Sequence, residues 1–420
     1  MKKKHFYFSI GIGFSVAFTL LYSYAIAQKN QNYGNAPDAF LPFNQFQKPY
    51  ILFFKEPLPY LGPGRSKAAP TGLTSIKIGF IAPLEGSQEA IYGVEMLKGA
   101  RLAIEEANKK GYNGIPFQLV TRNDVGLWGA AANELVKLND EKVWAVVGSI
   151  DGNNSHVALR VALKLEMPMV NTGSTDPTLT ETNIPWVIRC MSDDRQHNYA
   201  LAKYVFKDKG ISKVAILRAN NRYGRVGVAE FNDAARRMGY PIQMHLRYAP
   251  AETVFDSQLE KIKKSSAQAV LIWGNDEEAG RIVKRMRELN MHHPVFGSDR
   301  MVTAKFLQIA GKSAEGTVAS YPYNPVSKDS SYLVFRAKYR SRYNEEPGVF
   351  ASHAYDGMNI LIHSIRKAGL NRAKIRDELT AIRKYNGVTG EIIFDATSND
   401  IGLVWLAEVV DGKFVFKPSK

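Results

Sequence analysis

From Ser75 to Asp299 the sequence alternates short apolar strands with amphipathic helices, and this alternation leaves few folds open. "SIKIGFIAP" places Ile76, Ile78 and Phe80 at strand spacing. "YGVEMLKGARLAIEEANKKG" follows, with Met96, Ala100, Ala103 and Ile104 on one helical face and Gly111 as a stop. "FQLVTRND", "VWAVVGS" and "PMVNTGS" read as further strands, separated by the helices "AAANELVKLND" and "NSHVALRVALKLE". A second block begins near Asn198. Helix "NYALAKYVFKDKG" opens it, and strands "KVAILRAN", "QMHLRYA", "AVLIWGN" and "PVFGSD" alternate with helices between them. Continuously apolar runs such as "VWAVVGS" belong in parallel sheets covered on both faces. Two such blocks predict an α/β chain with two open, doubly wound, mostly parallel sheets flanked by helices. From about residue 323 the chain is richer in helix. It ends in strands, "GEIIFDATSNDIGLVWLAEVVDGKFVF".

In open α/β sheets a ligand sits outside the carboxyl ends of the strands. The informative residues are therefore Pro83–Gln88, Asp124, Ser149–Ser155, Thr172–Thr175, Ala219–Tyr223, Asn275–Glu277 and Ser298–Arg300. Most are small, amide or acidic, which suits a polar small molecule held by hydrogen bonds. One stretch, "NTGSTDPTLT" from Asn171 to Thr180, packs hydroxyls around a proline directly after a buried strand. Thr175 or Asp176 is expected to cap a helix begun by Pro177, with the free amides of that helix end favouring an anion.

Catalytic and cofactor patterns are absent. There is no Gly-x-x-x-x-Gly-Lys-Ser/Thr loop, no Gly-x-Ser-x-Gly elbow, no His-Glu-x-x-His pair and no Gly-x-Gly-x-x-Gly after the first strand. His292 and His293 form a solvated loop pair rather than a metal site. No cofactor, metal or catalytic group is expected. With 45% hydrophobic and 23% charged residues the composition is that of a soluble globular protein. The net charge is +15, but no dense basic block interleaved with aromatics argues for nucleic acid. Cys190 is the sole cysteine, so no internal disulfide forms, and it reads as an inert core residue.

The N-terminus differs from the rest. Lys2, Lys3 and Lys4 precede an uncharged apolar run from Phe6 to Ala27, which closes on the small-x-small tripeptide Ala25–Ala27. Residues 1–27 are expected to be a signal peptide cleaved after Ala27, or, because the run nearly matches a bilayer, a retained membrane anchor. Residues 28–74 are rich in Pro, Gly and aromatics and read as an extended tether, laid across a surface by its Phe and Tyr side chains.

"IKIGFIAPLEGSQEAIYGVEMLKGARLAIEEAN", "WAVVGSIDGNNSHVALRVALKLEMPMVNTGSTDPTLT", "RYGRVGVAEF", "VFGSD" and "ASHAYDGMNIL" keep their order and spacing from Ser75 onward. In these stretches the chain resembles the type I periplasmic binding proteins of the branched-chain amino acid and amide group, solute receptors of ABC importers. The resemblance implies two lobes hinged about a ligand cleft, residues 75–193 plus 323–401 and residues 194–322 plus 402–420. It implies a monomer in the periplasm whose partners are a small amino acid or amide-like ligand and an inner-membrane permease. By the same resemblance an α-carboxylate meets Gly152, Asn153, Asn154 and Ser155 at one strand end and Gly173, Ser174 and Thr175 at another. An ammonium meets Asp299, and Tyr92 and Tyr223 cover the ligand. The sequence departs from the family where Gly152 replaces a serine, Asn275 replaces a tyrosine, and Asp299 stands one methylene short of the usual glutamate. These departures favour a more polar amino acid, an amide or a small carboxylate over branched-chain amino acids. A membrane-anchored sensor is the alternative. An enzyme on the same fold, using the histidine pair or Asp299, is a weaker third, because no nucleophile–base pair is visible.

N-terminal sequencing of the mature protein is expected to begin at Gln28; a chain beginning at Met1 in the membrane fraction would make it an anchored receptor.

Overall fold

The computed structural model describes residues 59–419, so the expected signal segment and most of the tether lie outside the described residues. The first sheet holds β1 (Ile76–Ala82), β2 (Phe117–Asn123), β3 (Val146–Gly148), β4 (Met169–Asn171) and β5 (Val187–Arg189). Its strands are all parallel, in the order β2-β1-β3-β4-β5. Between them run α1 (Ala90–Ala107), α2 (Ala130–Asp140), α3 (Gly152–Leu165) and the single turn α4 (Thr178–Glu181). The second sheet holds β6 (Val214–Ala219), β7 (Met244–Tyr248), β8 (Ala269–Trp273), β9 (Val295–Gly297) and β10 (Val318–Tyr321), which repeat the same parallel order as β7-β6-β8-β9-β10. Its helices are α5 (Asp194–Lys203, prolonged by a π turn over Tyr204–Asp208), α6 (Arg222–Arg237), α7 (Asp256–Lys263), α8 (Asp276–Glu288) and α9 (Ala304–Ala310).

The remaining chain is shared between the sheets. Helices α10 (Ser330–Tyr343), α11 (Val349–Ala368) and α12 (Arg372–Ala381) return to the first sheet, where Phe350, Ala354 and Met358 pack with Tyr92, Met96 and Ala100 of α1. The hairpin β11 (Lys384–Gly387) and β12 (Gly390–Ile393) follows. Strands β13 (Trp405–Val410) and β14 (Lys413–Pro418) then add antiparallel to the edge of the second sheet at β10. Each sheet is covered on both faces. One cluster of the first sheet joins Phe80 and Val147 to α1 and α11, and another joins Ile81 and Val146 to α2 and α3. This double burial explains why β3 and β8 are apolar throughout, and why β4 turns polar only at Asn171 at its carboxyl end. Cys190 is fully buried and free.

Three segments cross between the sheets, 190–193, 322–329 and 394–404. Two of them are pinned by one buried cation. Arg189, wholly inaccessible at the end of β5, donates from Nη2 to Asp193 Oδ2 at 2.9 Å and to Asn399 Oδ1 at 2.6 Å, and from Nη1 to the Asp176 carbonyl. Asn399 Nδ2 closes the ring onto Asp193 Oδ2 at 3.1 Å. Asp193 also caps α5 in a reciprocal arrangement with Gln196.

The stretch preceding the first strand is docked rather than loose. Tyr60 stands edge-on to Trp186 at 4.9 Å and donates to Glu166 Oε1 at 2.9 Å. Pro63–Ser66 forms a 3₁₀ turn where an extended tether was expected. Arg65 pairs with Asp377 of α12, and Asn371 Nδ2 donates to the Gly64 carbonyl at 3.0 Å.

Asp400, in the third crossing, is buried and pushed up to about 7 by desolvation, against the N–H groups of Gly402 and Ile393 that it accepts. An unfolded aspartate titrates near 4. Between these values the folded chain keeps a proton that the unfolded chain has lost. The stability this gives is therefore complete below about pH 4 and is lost as the pH rises to 7. Asp400→Asn keeps both acceptor contacts without the charge. Its urea-unfolding free energy relative to wild type should rise by about 2–3 kcal/mol between pH 5 and pH 8. A flat difference would mean an ordinary carboxyl.

Candidate functional site

Both sheets have the strand order whose switch point lies between the first and third strands of each block, β1 and β3 in one, β6 and β8 in the other. There a crevice opens at the carboxyl ends. The same dipeptide, Tyr-Gly, begins the helix beside each crevice, as Tyr92-Gly93 in α1 and Tyr223-Gly224 in α6. Each glycine lets its helix lean onto the preceding strand end. A Cβ on Gly93 would stand 1.7 Å from the Pro83 carbonyl oxygen, and one on Gly224 would stand 2.1 Å from that of Ala219. These approaches carry the two tyrosine rings into the space between the sheets, where both are buried.

There the rings flank a guanidinium. Arg300 Cζ lies 3.9 Å from the centroid of Tyr223 and 5.6 Å from that of Tyr92. Its Nη1 donates across the cleft to Glu89 Oε1 at 2.6 Å and to Asn275 Oδ1 at 2.9 Å. Burial alone would weaken the cation, but Glu89, the tyrosines and Asp299 outweigh it, so Arg300 stays charged. Tyr92 donates to Asp276 Oδ1 of the other sheet at 3.0 Å. Tyr223 donates to Asp299 Oδ1 at 2.5 Å. At the rim Arg222 Nε meets Asp176 Oδ2 at 2.5 Å. Burial would raise the Asp176 carboxyl, but the Thr178 hydroxyl and Arg222 hold it below its ordinary range. Between these groups remains a cavity of about 10 Å³, lined by Gly152, Ser174, Asp194, Tyr223 and Arg300.

The candidate residues divide. Tyr92, Gly152, Ser174, Thr175, Tyr223, Asn275 and Asp299 converge on the cleft. A Cβ on Gly152 would stand 2.7 Å from Asp176 Oδ2, so the serine it replaces would not fit beside that carboxylate. Ser174 Oγ is buried without a hydrogen bond. Asn153 is half-buried on α3. Asn154 and Ser155 are fully buried behind the cleft. Asn154 Oδ1 accepts the Gly129 amide, and Ser155 Oγ donates to the Ser149 carbonyl and accepts from Asn171. The Ser155 hydroxyl is therefore engaged, whereas Asn154 Nδ2 is buried without a hydrogen-bond partner. Gly173 packs on Ile150. The expected cap is found in part: Asp176 Oδ1 accepts the Thr178 amide at 3.0 Å. The expected anion site at that helix end is not, because α4 is one turn long and Asp176 already occupies its amide. His292 is exposed, and among the described residues no cluster of His, Cys, Asp or Glu is arranged to hold a metal.

Glu89 and Asp194 lie outside the strand-end stretches picked from the sequence, and Arg300 and Asp276 fall within two of them with no role expected of either. Asp194 is 1% exposed, lines the cavity, and neither carboxyl oxygen completes a hydrogen bond. Desolvation pushes its pKa well above the ordinary range, and the charge of Asp299 adds to this.

The model for the periplasmic binding proteins matches residues 75–413. The chain belongs to the periplasmic binding protein family. Family membership implies a location outside the cytoplasm and, in general, ligand capture rather than catalysis. Among relatives, the Leu/Ile/Val-binding protein homolog 2 of Brucella abortus is 28% identical over 78% of this chain and 88% of its own. A Pseudomonas aeruginosa protein that binds leucine, isoleucine, valine, threonine and alanine is 25% identical over 76% and 86%. The solved structure of LivJ from Streptococcus pneumoniae with isoleucine superposes with a TM-score of 0.75 at 26% identity, over 82% of this chain and 99% of that one.

Glu89→Gln leaves the enclosed Arg300 guanidinium without its carboxylate when the cleft is shut. Calorimetric titration with the co-purifying ligand should show binding weakened by about 2 kcal/mol, roughly 30-fold.

Proposed function

We propose that this protein is a solute receptor of an ABC importer, working as a periplasmic monomer that captures a small polar ligand and presents it to an inner-membrane permease. The lobes are residues 75–193 plus 323–401 and 194–322 plus 402–420. The observation that carries this reading is the meeting of both switch points at one buried cluster. Glu89 and Tyr92 from one sheet bond Arg300, Asn275 and Asp276 from the other at hydrogen-bond distance or through that cation. The names of the Brucella, Pseudomonas and Streptococcus relatives, all amino-acid binders, support a ligand with an α-ammonium.

In this reading Asp299, braced by Tyr223, takes the ammonium. The amides and hydroxyls of Gly152, Ser174 and Thr175 face the carboxylate side, and Tyr92 and Tyr223 enclose the ligand. Asn275, bonded to Arg300, replaces a bulkier aromatic and leaves the cleft polar. An ionised group shut away from water needs a partner, because an uncompensated buried charge costs several kcal/mol.

Ligand should lower the radius of gyration in small-angle scattering and raise the melting temperature, since it binds only the folded chain. Saturation that changes neither would overturn the receptor reading. With an ammonium-bearing ligand, Asp299→Asn should lose roughly 2–4 kcal/mol, about 30- to 1000-fold, by calorimetry. Unchanged affinity would remove Asp299 from the site.

A further inference from the structure

The charged groups of the cleft do not balance. Arg300 is matched by Glu89 and Arg222 by Asp176. Asp151 caps α3 through the Asn154 amide, and Asp276, in the first turn of α8, accepts from Tyr92 and Thr303. Neither of these two acids has an ion pair, but each has a capping or hydrogen-bonding role; among the described residues Asp299 and Asp194 have neither a cation at ion-pair distance nor a cap to make. Asp299 accepts the Tyr223 hydroxyl and shares the field of Arg300 without an ion pair, and Asp194 faces the Thr175 hydroxyl but completes no hydrogen bond of normal geometry at either oxygen. Both are almost fully buried, 2% and 1% exposed, and Asp194 lines the cavity beside the unpartnered Ser174 hydroxyl. An orphaned buried carboxyl is costly unless something else completes it.

Resting on the receptor reading above, we propose that Asp194 is a second ligand-contacting carboxyl beside Asp299, and that the cleft takes a small solute of net positive charge, a basic amino acid or a diamine. One ammonium meets Asp299 and the second cationic nitrogen meets Asp194. A solute with a neutral side chain leaves Asp194 unmatched, and one with a second carboxylate faces it directly.

Proton linkage follows from the surroundings of Asp194. Asp299, Asp176 and Asp193 oppose its ionisation, as does burial, while the Thr175 hydroxyl favours it. Arg300, Arg222 and Tyr223 line the same cavity, and the buried His197 lies three residues further along α5. Without ligand, burial and the neighbouring carboxylates favour the protonated form of Asp194. A cation arriving beside it favours the carboxylate, so that proton leaves on binding. Affinity then rises with pH until Asp194 ionises unaided.

The probes are L-lysine, L-arginine and putrescine against L-leucine, L-asparagine, L-glutamate and benzoate, with purified full-length protein. A cationic probe should bind at least tenfold more tightly than any of the others, with lysine and putrescine separating the two sources of charge. Calorimetry in two buffers of different ionisation heat at pH 7 should show proton release on wild type, a readout that needs no variant. Asp194→Asn should abolish that release and weaken the cationic probe tenfold or more. Preference for leucine, asparagine, glutamate or benzoate, with closure intact, would overturn the charge assignment and leave the receptor reading standing. Cation binding without proton release, or unchanged in Asp194→Asn, would overturn the role of Asp194. If neither these probes nor a co-purified ligand alters the melting temperature or the radius of gyration, the receptor reading itself falls, and this inference with it.

Discussion

The cleft depends on how closely two helices approach two strand ends. At Gly93 and Gly224 there is no room for a single methyl group, since the facing atom is a backbone carbonyl that cannot rotate away. Any side chain there would push its helix outward and withdraw the neighbouring tyrosine. Tyr92 and Tyr223 reach the space between the sheets only because the residue after each is glycine. Their rings, in turn, give the Arg300 guanidinium two aromatic neighbours in a place where water is scarce. The repeated Tyr-Gly is thus a backbone requirement with a functional consequence.

A charge buried in this manner is held by geometry rather than strengthened for its own sake. Desolvating an ion pair costs about as much as the attraction returns, so Glu89 and Arg300 gain little when the sheets meet. What they supply is register. Shut with Glu89 on Arg300 and Asp176 on Arg222, the two sheets have a defined relation, and wrong solutes are refused by unpaired charges. The net free energy of closing is left to the solute, which suits a receptor that must release what it captures.

Much of the fold was legible because strand and helix periods differ so sharply. The helix expected over "AAANELVKLND" is α2 from Ala130 to Asp140. Elements that escaped are short or lack the pattern. β5 and β10, of three and four residues, are about as short as β3, β4 and β9, but they do not stand in the strand–helix alternation read along the sequence, which made those three visible. α12 is half polar and is recognised by its contacts with α11 and the docked Pro63–Ser66 turn. β3 is assigned only Val146–Gly148, although Trp144 still bonds the Lys77 carbonyl at 2.9 Å in the same register. The site was less legible than the fold. Position after a strand drew attention to Tyr223 and Asp299, which the fold brings to the cleft, but it could not tell a side chain facing the cleft from one facing the core, as with Asn154 and Ser155. Arg300 fell in one of the strand-end stretches, but its role was hidden because it rests on Glu89, 211 residues away. Asp194 resembled an ordinary acid in a helix's first turn. One local sign was available: Asp193 alone satisfies the cap with Gln196, so a second acid beside it had no local task.

The hinge explains why a carboxyl at that position can matter to capture. Asp193, in the first crossing, is fixed between Arg189 at the end of β5 and Asn399 of the third crossing, and it starts α5. Asp194 is the next residue, so its place is set by the crossings themselves rather than by either sheet. The crossings are also where a hinge motion must be absorbed, because the sheets on each side are packed on both faces and do not deform. A charge appearing on Asp194 is therefore felt where the lobes turn, beside Asp299 on one side and Thr175 on the other. The ligand can bias closure through the same carboxyl that recognises it, without any signal passing through the cores.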